Sequence, residues 1–456
     1  MSCHDSKARA GLVDPESQCH EQSMLPTESP SDNSSTPQLC EDHTISFISE
    51  IKHQSKSDVD TGAAAWLVLL GAWCSSFCSY GWINSVGTFQ QYYQHGPLRE
   101  YSPSQIAWIP ALQIFFMSAV GPVLGQVFDR YGPRYIVLVG SIMHVFGLMM
   151  ASISTKYYQF LLSQGTCSAM GSAAVSLAAI ACVSGWFDKK RGLAFGILAT
   201  GSSIGGIIFP ILLNALIDSV GYGWAMRAAA FIIAGMLTIV NLTTRMHHPP
   251  AVVKITRKQL GKPFCEFPYV SLLIGLALVP FGLYTPIDYL PTAATMAGTN
   301  ARLSQNLVAF YNASSLVGRL CSGFLADKLG RFNSFIVACY TAGTLIVALW
   351  IPASNDGSIV AFAVLFGIFS GAYISLVPAL VAQLSPIEEI GYRNGISTLV
   401  GCVGGLLATP IAGKILQGHG GLVGMKVFAG TFMLLGTTGA LVARLARTGW
   451  KLKVIF

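Results

Sequence analysis

The sequence predicts an all-α membrane protein of twelve transmembrane helices, arranged as two six-helix pseudo-repeats. Three observations lead there. Of the 456 residues, 52% are apolar and only 11% charged, and the mean hydropathy is +0.55. A soluble domain carries about a quarter charged residues, so this chain has too little polar surface to stay in water. Apolar stretches of roughly 20 residues, the length of a helix crossing the hydrocarbon, recur from Gly62 onward with short breaks. A loop motif in the first half of the chain returns 198 residues later in the second. Together these exclude an ordinary cytosolic enzyme, a disordered protein and a nucleic-acid binder.

Residues 1–61 are set apart by charge. They hold 11 Asp/Glu against 4 Lys/Arg, whereas the remaining 395 residues hold 10 acids and 24 bases. Rich in Ser, Glu, Asp, Gln and Pro, this segment reads as a disordered acidic tail, unable to bury enough surface to offset its ordering entropy. It shows no basic n-region followed by an apolar h-region, so no cleaved signal peptide is expected. The expected spans of the first half, 62–244, are 63–88, 104–127, 135–153, 158–183, 192–215 and 225–244. A polar linker at 245–264 leads to a second half, 265–446, with spans 266–289, 304–325, 333–352, 358–383, 396–416 and 422–444, and residues 447–456 form a basic tail. Gly and Pro inside several spans are tolerated in lipid.

Orientation follows from the bases. With the acidic tail in the cytoplasm, the loops and termini on that side hold 17 of the 24 later bases, among them Arg130, Arg134, Lys189, Lys190, Arg191, Lys328, Arg331, Arg444 and Lys451. The other side holds six, Arg99, Lys156, Arg227, Arg302, Lys414 and Lys426, and Arg319 alone lies within a span. That asymmetry places both termini in the cytoplasm, with the plasma membrane as the expected location. Most of the 11 cysteines sit in apolar runs without paired or metal-ligand spacing, as small hydrophobes do.

The repeated motif joins spans 2 and 3 as Gly125-Gln-Val-Phe-Asp129-Arg130-Tyr-Gly132-Pro-Arg134, and spans 8 and 9 as Gly323-Phe-Leu-Ala-Asp327-Lys328-Leu-Gly330-Arg331. Both read G-x-x-x-D-[RK]-x-G followed by a base. The glycine permits close helix packing, the acid sits at a helix end, and the bases can meet carboxylates or lipid phosphates. Two copies at matching loops make a chance turn an inadequate reading.

On these residues the chain resembles the major facilitator superfamily, whose two halves surround a central substrate site. It further resembles the monocarboxylate-porter branch, its fungal members in particular. One stretch carrying that likeness is Trp186-Phe187-Asp188-Lys189-Lys190-Arg191-Gly192-Leu193-Ala194-Phe195-Gly196, ending at Gly201. The other runs from Asp60-Thr61-Gly62 through Trp66 to Tyr80-Gly81-Trp82-Ile83-Asn84-Ser85-Val86-Gly87-Thr88-Phe89-Gln90-Gln91-Tyr92-Tyr93. The resemblance implies coupling charges at three positions, of which only Arg319 is kept. Asn84 stands at the family's span 1 lysine and Ser315 at its span 8 aspartate. Lactate–proton symport by that route is therefore not expected.

Arg319 is the leading candidate for substrate or coupling work, since a cation in mid-membrane costs at least about 2.5 kcal/mol unless it faces a cavity or partner. A purely structural interhelical pair is its alternative. Asn312, Ser315 and Arg319 share one helical face. Asp288 is the expected acid partner, with Tyr284 one turn away and Pro286 and Pro291 implying a broken span 7. Tyr80 and Asn84 are placed to hydrogen-bond a ligand, or to act as polar glue between helices, an ambiguity shared by Gln113, Asn214 and His144. Lys189, Lys190 and Arg191 are expected to fix topology and meet lipid phosphates. Asp129 and Asp327 are expected to pair with nearby bases as a gate, Arg191 with Asp129 among them.

No P-loop, zinc motif or nucleophile elbow is present, so neither a cofactor nor a metal is expected and enzyme function has no support. The function expected is that of a secondary active transporter for a small organic molecule: an organic acid, a vitamin-like compound or a secondary metabolite. A non-transporting sensor on the same fold is the alternative. Partners are the substrate, with proton coupling left open, and membrane lipids around a monomer.

Overall fold

In lipid no water is at hand for backbone N–H and C=O groups, so a spanning segment must close its hydrogen bonds within itself. The computed structural model describes Asp60, 62–85, Phe89, Tyr92, Tyr93, 96–247 and 260–449, and among these residues every regular element is helical. The acidic segment apart from Asp60, the middle of the linker and the last residues of the basic tail lie outside the described residues.

Among the described residues, twelve long helices follow in order. They are α1 Ala63–Gly81, α2 Trp108–Tyr131, α3 Pro133–Ile153, α4 Tyr157–Trp186, α5 Arg191–Val220, α6 Tyr222–Thr243, α7 Phe267–Met296, α8 Ala301–Leu329, α9 Arg331–Trp350, α10 Asp356–Leu384, α11 Ile390–Gln417 and α12 Gly421–Thr448. Eleven are long and apolar enough to cross a membrane by length and composition, with α8, of 29 residues, as the exception. Its polar positions turn inward: Ser314, Ser315, Arg319 and Ser322 are all buried. The expected break in α7 is absent. The helix runs unbroken for 30 residues through Pro280, Pro286 and Pro291. Each proline forfeits one backbone bond, a loss tolerated where neighbouring helices pack closely, as where Gly282, between Pro280 and Pro286, meets Ala429 and Met433 of α12.

Two apolar cores form. One draws on α1–α6, including Trp82, Leu148, Phe160, Phe195, Phe209 and Met226, and only Ala379 and Ile390 reach into it from later helices. The other is built from α7–α12 around Tyr269, Phe332, Trp350, Phe362 and Met433. The outer faces of α3, α6, α9 and α12 expose Ile142, Phe146, Phe231, Leu242, Val337 and Leu435, as lipid-facing surfaces do. Three stretches widen to π-helical turns: Phe77–Gly81 in α1, Leu161–Ser168 in α4 and Ile346–Trp350 in α9. His144 of α3 sits between the first two. Its Nε2–H donates to the Cys78 carbonyl at 3.2 Å, and its Nδ1 lies 2.9 Å from Ser168 Oγ. His144 thus ties α3 to the widened turns of α1 and α4.

Candidate functional site

The repeated turns bring the first six helices against the last six at one end of the molecule. Gly132 and Gly330 close the two motifs with φ of 77° and 96°, a left-handed conformation that favours glycine and lets α3 and α9 start at once. This places Asp129 and Asp327 at the ends of α2 and α8, each pointing across to the other half. The Asp129 carboxylate accepts the backbone N–H of Gly391 at 2.9 Å and of Tyr392 at 2.8 Å, in the first turn of α11. Asp327 does the same to Gly192 at 2.7 Å and Leu193 at 2.8 Å, in the first turn of α5.

The partners of both acids are therefore helix N-termini rather than the expected bases. A first turn offers several N–H groups with no intrahelical acceptor, at the positive end of the helix dipole. Two adjacent N–H groups satisfy both carboxylate oxygens, and no ammonium has to be desolvated. The expected Arg191–Asp129 contact is not formed. Arg191 lies at the α5 end, where Asp327 binds, donates to the carbonyls of Phe187 and Ser184, and stands 3.6 Å from Asp188. Arg331 donates across the halves to the Asp188 carbonyl. Arg130, Arg134 and Lys328 are exposed, Lys328 over the Phe324 ring.

Each receiving helix start is braced from its own half, by residues that sequence reasoning had not singled out as a site. Asp60 accepts the N–H groups of Asp188, Lys189 and Lys190 at 2.9, 2.9 and 3.0 Å. On the α11 side a fully buried Arg393 pairs with Glu266 and Glu389, each at 2.7 Å. The hydrogen bond from Arg393 holds the Glu266 carboxyl below the usual carboxylate range. The signal for this cluster was three charges beside apolar spans, of which Arg393 alone had counted, toward orientation.

Close to this latch the helices cross backbone to backbone. A Cβ on Gly125 would lie 2.2 Å from the Gly391 carbonyl oxygen, and one on Gly192 2.6 Å from that of Gly323. Such approach is open to glycine alone.

Farther in lies Arg319, 6% exposed. Its Nη1 donates to the Ala199 carbonyl at 2.8 Å and to Ser202 Oγ at 2.5 Å, both on α5 of the other half. The expected pairing with Asp288 is thus absent. Asp288 instead accepts from the Thr409 hydroxyl at 2.5 Å. The neutral oxygens of α5 are in hydrogen-bond contact with the guanidinium and compensate it in place of an acid, and no ion pair to Asp288 is present among the described residues.

Asn84, Tyr284 and Asp288 are exposed and Tyr80 is half-buried, whereas Tyr311 is buried and its hydroxyl accepts from Ser370 Oγ at 3.3 Å. Asn84 and Tyr284 rest on matched glycines. A Cβ on Gly206 would meet Asn84 Nδ2 at 2.3 Å, and one on Gly405 would meet the Tyr284 ring at 3.0 Å. The pairs Gly205-Gly206 and Gly404-Gly405 lie 199 residues apart, a second repeat visible in the chain but not used in reading it. Asn84 also donates to the Ser202 carbonyl at 3.3 Å. Ser315 is fully buried and Asn312 half-buried on the α8 face that carries Arg319. Gln113 accepts from Gln164, which in turn accepts from Tyr93, a closed polar network; Asn214 is exposed. Among the described residues, no group of three or more His, Cys, Asp or Glu is placed to hold a metal ion.

A membrane bundle of twelve long helices among the described residues, its halves joined at one end by paired carboxylate contacts to helix starts, has the build of a transporter. The sequence model of the Major Facilitator Superfamily matches residues 66–409, and the chain belongs to that superfamily. It is 51% identical over 403 residues to the MFS transporter asaE of Aspergillus flavus, covering 88% of this chain and 91% of that one. It is 50% identical over 399 residues to the Fujikurins efflux protein of Gibberella fujikuroi, covering 87% and 86%. The Aspyridones efflux protein apdF of Emericella nidulans is 38% identical over 396 residues, covering 86% and 80%. Among solved structures, the transporter FucP in the outward conformation superposes with a TM-score of 0.67 at 15% identity, over 83% of this chain and 98% of that one. A bacterial homologue of the iron transporter ferroportin in the outward-facing state gives 0.67 at 14% identity, over 84% and 99%. The protein is an integral membrane transporter of this superfamily and not an enzyme.

Proposed function

We propose that the protein is a secondary active transporter that exports an anionic or strongly polar secondary metabolite by alternating access. The observation that carries this reading is the pairing of two features on one bundle: a symmetric carboxylate latch across the halves, and a buried arginine held across them by neutral oxygens alone. The latch supplies the two-state element that alternating access requires. Arg319 supplies the charge, because a guanidinium does not lose its proton and must be compensated by water, an acid or a ligand. Export is supported by relatives named as efflux proteins. The distribution of bases supports a cytoplasmic position for the latch and both termini. The latched state is then the one open to the outside, with α1–α6 and α7–α12 as the rocking units.

The direct test is deletion of the gene in its source cells, followed by mass spectrometry of small metabolites inside and outside. Export requires that at least one metabolite accumulate inside and fall outside, and that the intact gene restore it. Unchanged distribution of every metabolite, with binding but no turnover in proteoliposomes, would identify a sensor instead.

A further inference from the structure

The two crossings between the halves are built alike but differ at one position. In the α2/α11 crossing, Gly121 and Gly125 lie against Gly395 and Gly391. In the α8/α5 crossing, Arg319 and Gly323 lie against Gly196 and Gly192. Counting 198 residues on from Gly121, the spacing of the repeated motif, reaches Arg319. The same place in the fold is thus a glycine in one crossing and an arginine in the other. The arginine fits because its backbone takes the glycine's part. A Cβ on Gly196 would meet the Arg319 carbonyl oxygen at 2.8 Å, just as one on Gly395 would meet the Gly121 carbonyl oxygen at 2.2 Å.

The side chain then runs along α5, where Ala199 and Ser202 hold it. Ser202 Oγ itself donates to the Ala199 carbonyl at 2.9 Å, which leaves its lone pairs for the guanidinium. Arg319 Nε has no partner among the described residues although the residue is buried. With the latch closed, this permanent cation is therefore held by neutral oxygens of the opposite half, and held incompletely. Those oxygens travel with α5. When α5 and α8 part, the guanidinium loses both of them and must take a new partner from the opened space.

We propose that Ser202 and the Ala199 carbonyl are the exchange partners of Arg319. They release it to an anionic group of the substrate when the latch opens, and reclaim it as the latch closes, so that closure itself expels the substrate. This rests on the proposed reading of Arg319 as the substrate's cationic contact. Ser202 is then a positioning residue, and the exchange sets the direction of release. The substrate is held while the latch end is open and set free toward the opposite side once it shuts. A compound with no anionic group takes no part in the exchange.

The test needs no knowledge of the substrate. Phenylglyoxal modifies accessible arginines, and peptide mass spectrometry of the purified full-length protein reads the modification of Arg319 by itself. In the wild type Arg319 should react slowly. The Asp129→Asn/Asp327→Asn variant, with its latch carboxylates neutralised, should react at least tenfold faster. Ser202→Ala should react several-fold faster with the latch residues intact, and Ser202→Thr, which keeps the hydroxyl, should react as the wild type does. A melting temperature for each variant separates exposure by exchange from exposure by unfolding. Equal Arg319 modification in the wild type, Ser202→Ala and the latch variant would overturn the exchange, as would Ser202→Thr reacting as fast as Ser202→Ala. Failure of the underlying reading shows elsewhere, as undiminished export by Arg319→Lys, which the labelling does not report.

Discussion

Arg319 shows how far residue-level reasoning reached. That a lone mid-span cation needs a partner is dictated by the cost of its charge, and the partner was sought among acids because acids are visible in a sequence. The structure uses a backbone carbonyl and a serine, which carry no such mark. Arg319→Lys keeps the charge but loses the spread of donors on a planar guanidinium. It should reduce export at least about tenfold, the equivalent of roughly 1.4 kcal/mol in the barrier, measured per surface-expressed protein. Because Thr409 is the partner of Asp288, phenylglyoxal labelling of Arg319 should be unchanged in Asp288→Asn. Glu266 gives a pH prediction. Its carboxyl is held below its ordinary value of 4.5, first by the Arg393 hydrogen bond, so its stabilisation is present above that value. It is lost as pH falls through the lowered value. Glu266→Gln should be less stable at neutral pH and lose less further stability on acidification, as thermal melts across pH 3 to 7 would record.

At the scale of elements, two kinds of glycine contact predict two kinds of defect. A Cβ at Gly318 would lie 1.9 Å from the Ile368 carbonyl oxygen, inside the α8/α10 packing of one half. Gly318→Ala should strain that packing by about 1–3 kcal/mol and lower the melting temperature and the yield. Gly125→Ala instead obstructs a contact between halves. It should leave the melting temperature near that of the wild type while preventing closure of the latch end, detectable by loss of cysteine cross-linking there. The helices themselves were legible, because hydropathy sets where a chain can cross a bilayer. Even polar α8 was placed, by its length and by the motif that ends it. The continuity of α7 through three prolines was not legible, since neighbouring helices rather than local sequence sustain it. The π-helical turns were hidden for the same reason. The glycine pairs 199 residues apart were legible and passed unread, while the motif around Asp129 and Asp327 was noticed and its partners mistaken. A backbone N–H at a helix start has no residue type to announce it.

For the whole molecule, the central claim is that two carboxylates, each capping a helix of the opposite half, hold one end shut, and that transport requires them to let go. Four charge-assisted hydrogen bonds make up the latch, and hydrogen bonds to charged groups contribute about 1.5–3 kcal/mol each. Weakening them by even one such bond shifts a balanced two-state equilibrium at least about tenfold. Export by Asp129→Asn/Asp327→Asn should therefore fall while surface expression stays near that of the wild type. The most direct measurement is the distance across the latch end by pulsed electron resonance, with spin labels at the exposed positions Tyr131 and Ile387 in a background lacking native cysteines. The expected result is a short distance in the protein with both acids and a population at least tenfold richer in a longer distance in Asp129→Asn/Asp327→Asn. An identical distance distribution in the two proteins would contradict the latch and, with it, the mechanism built on it.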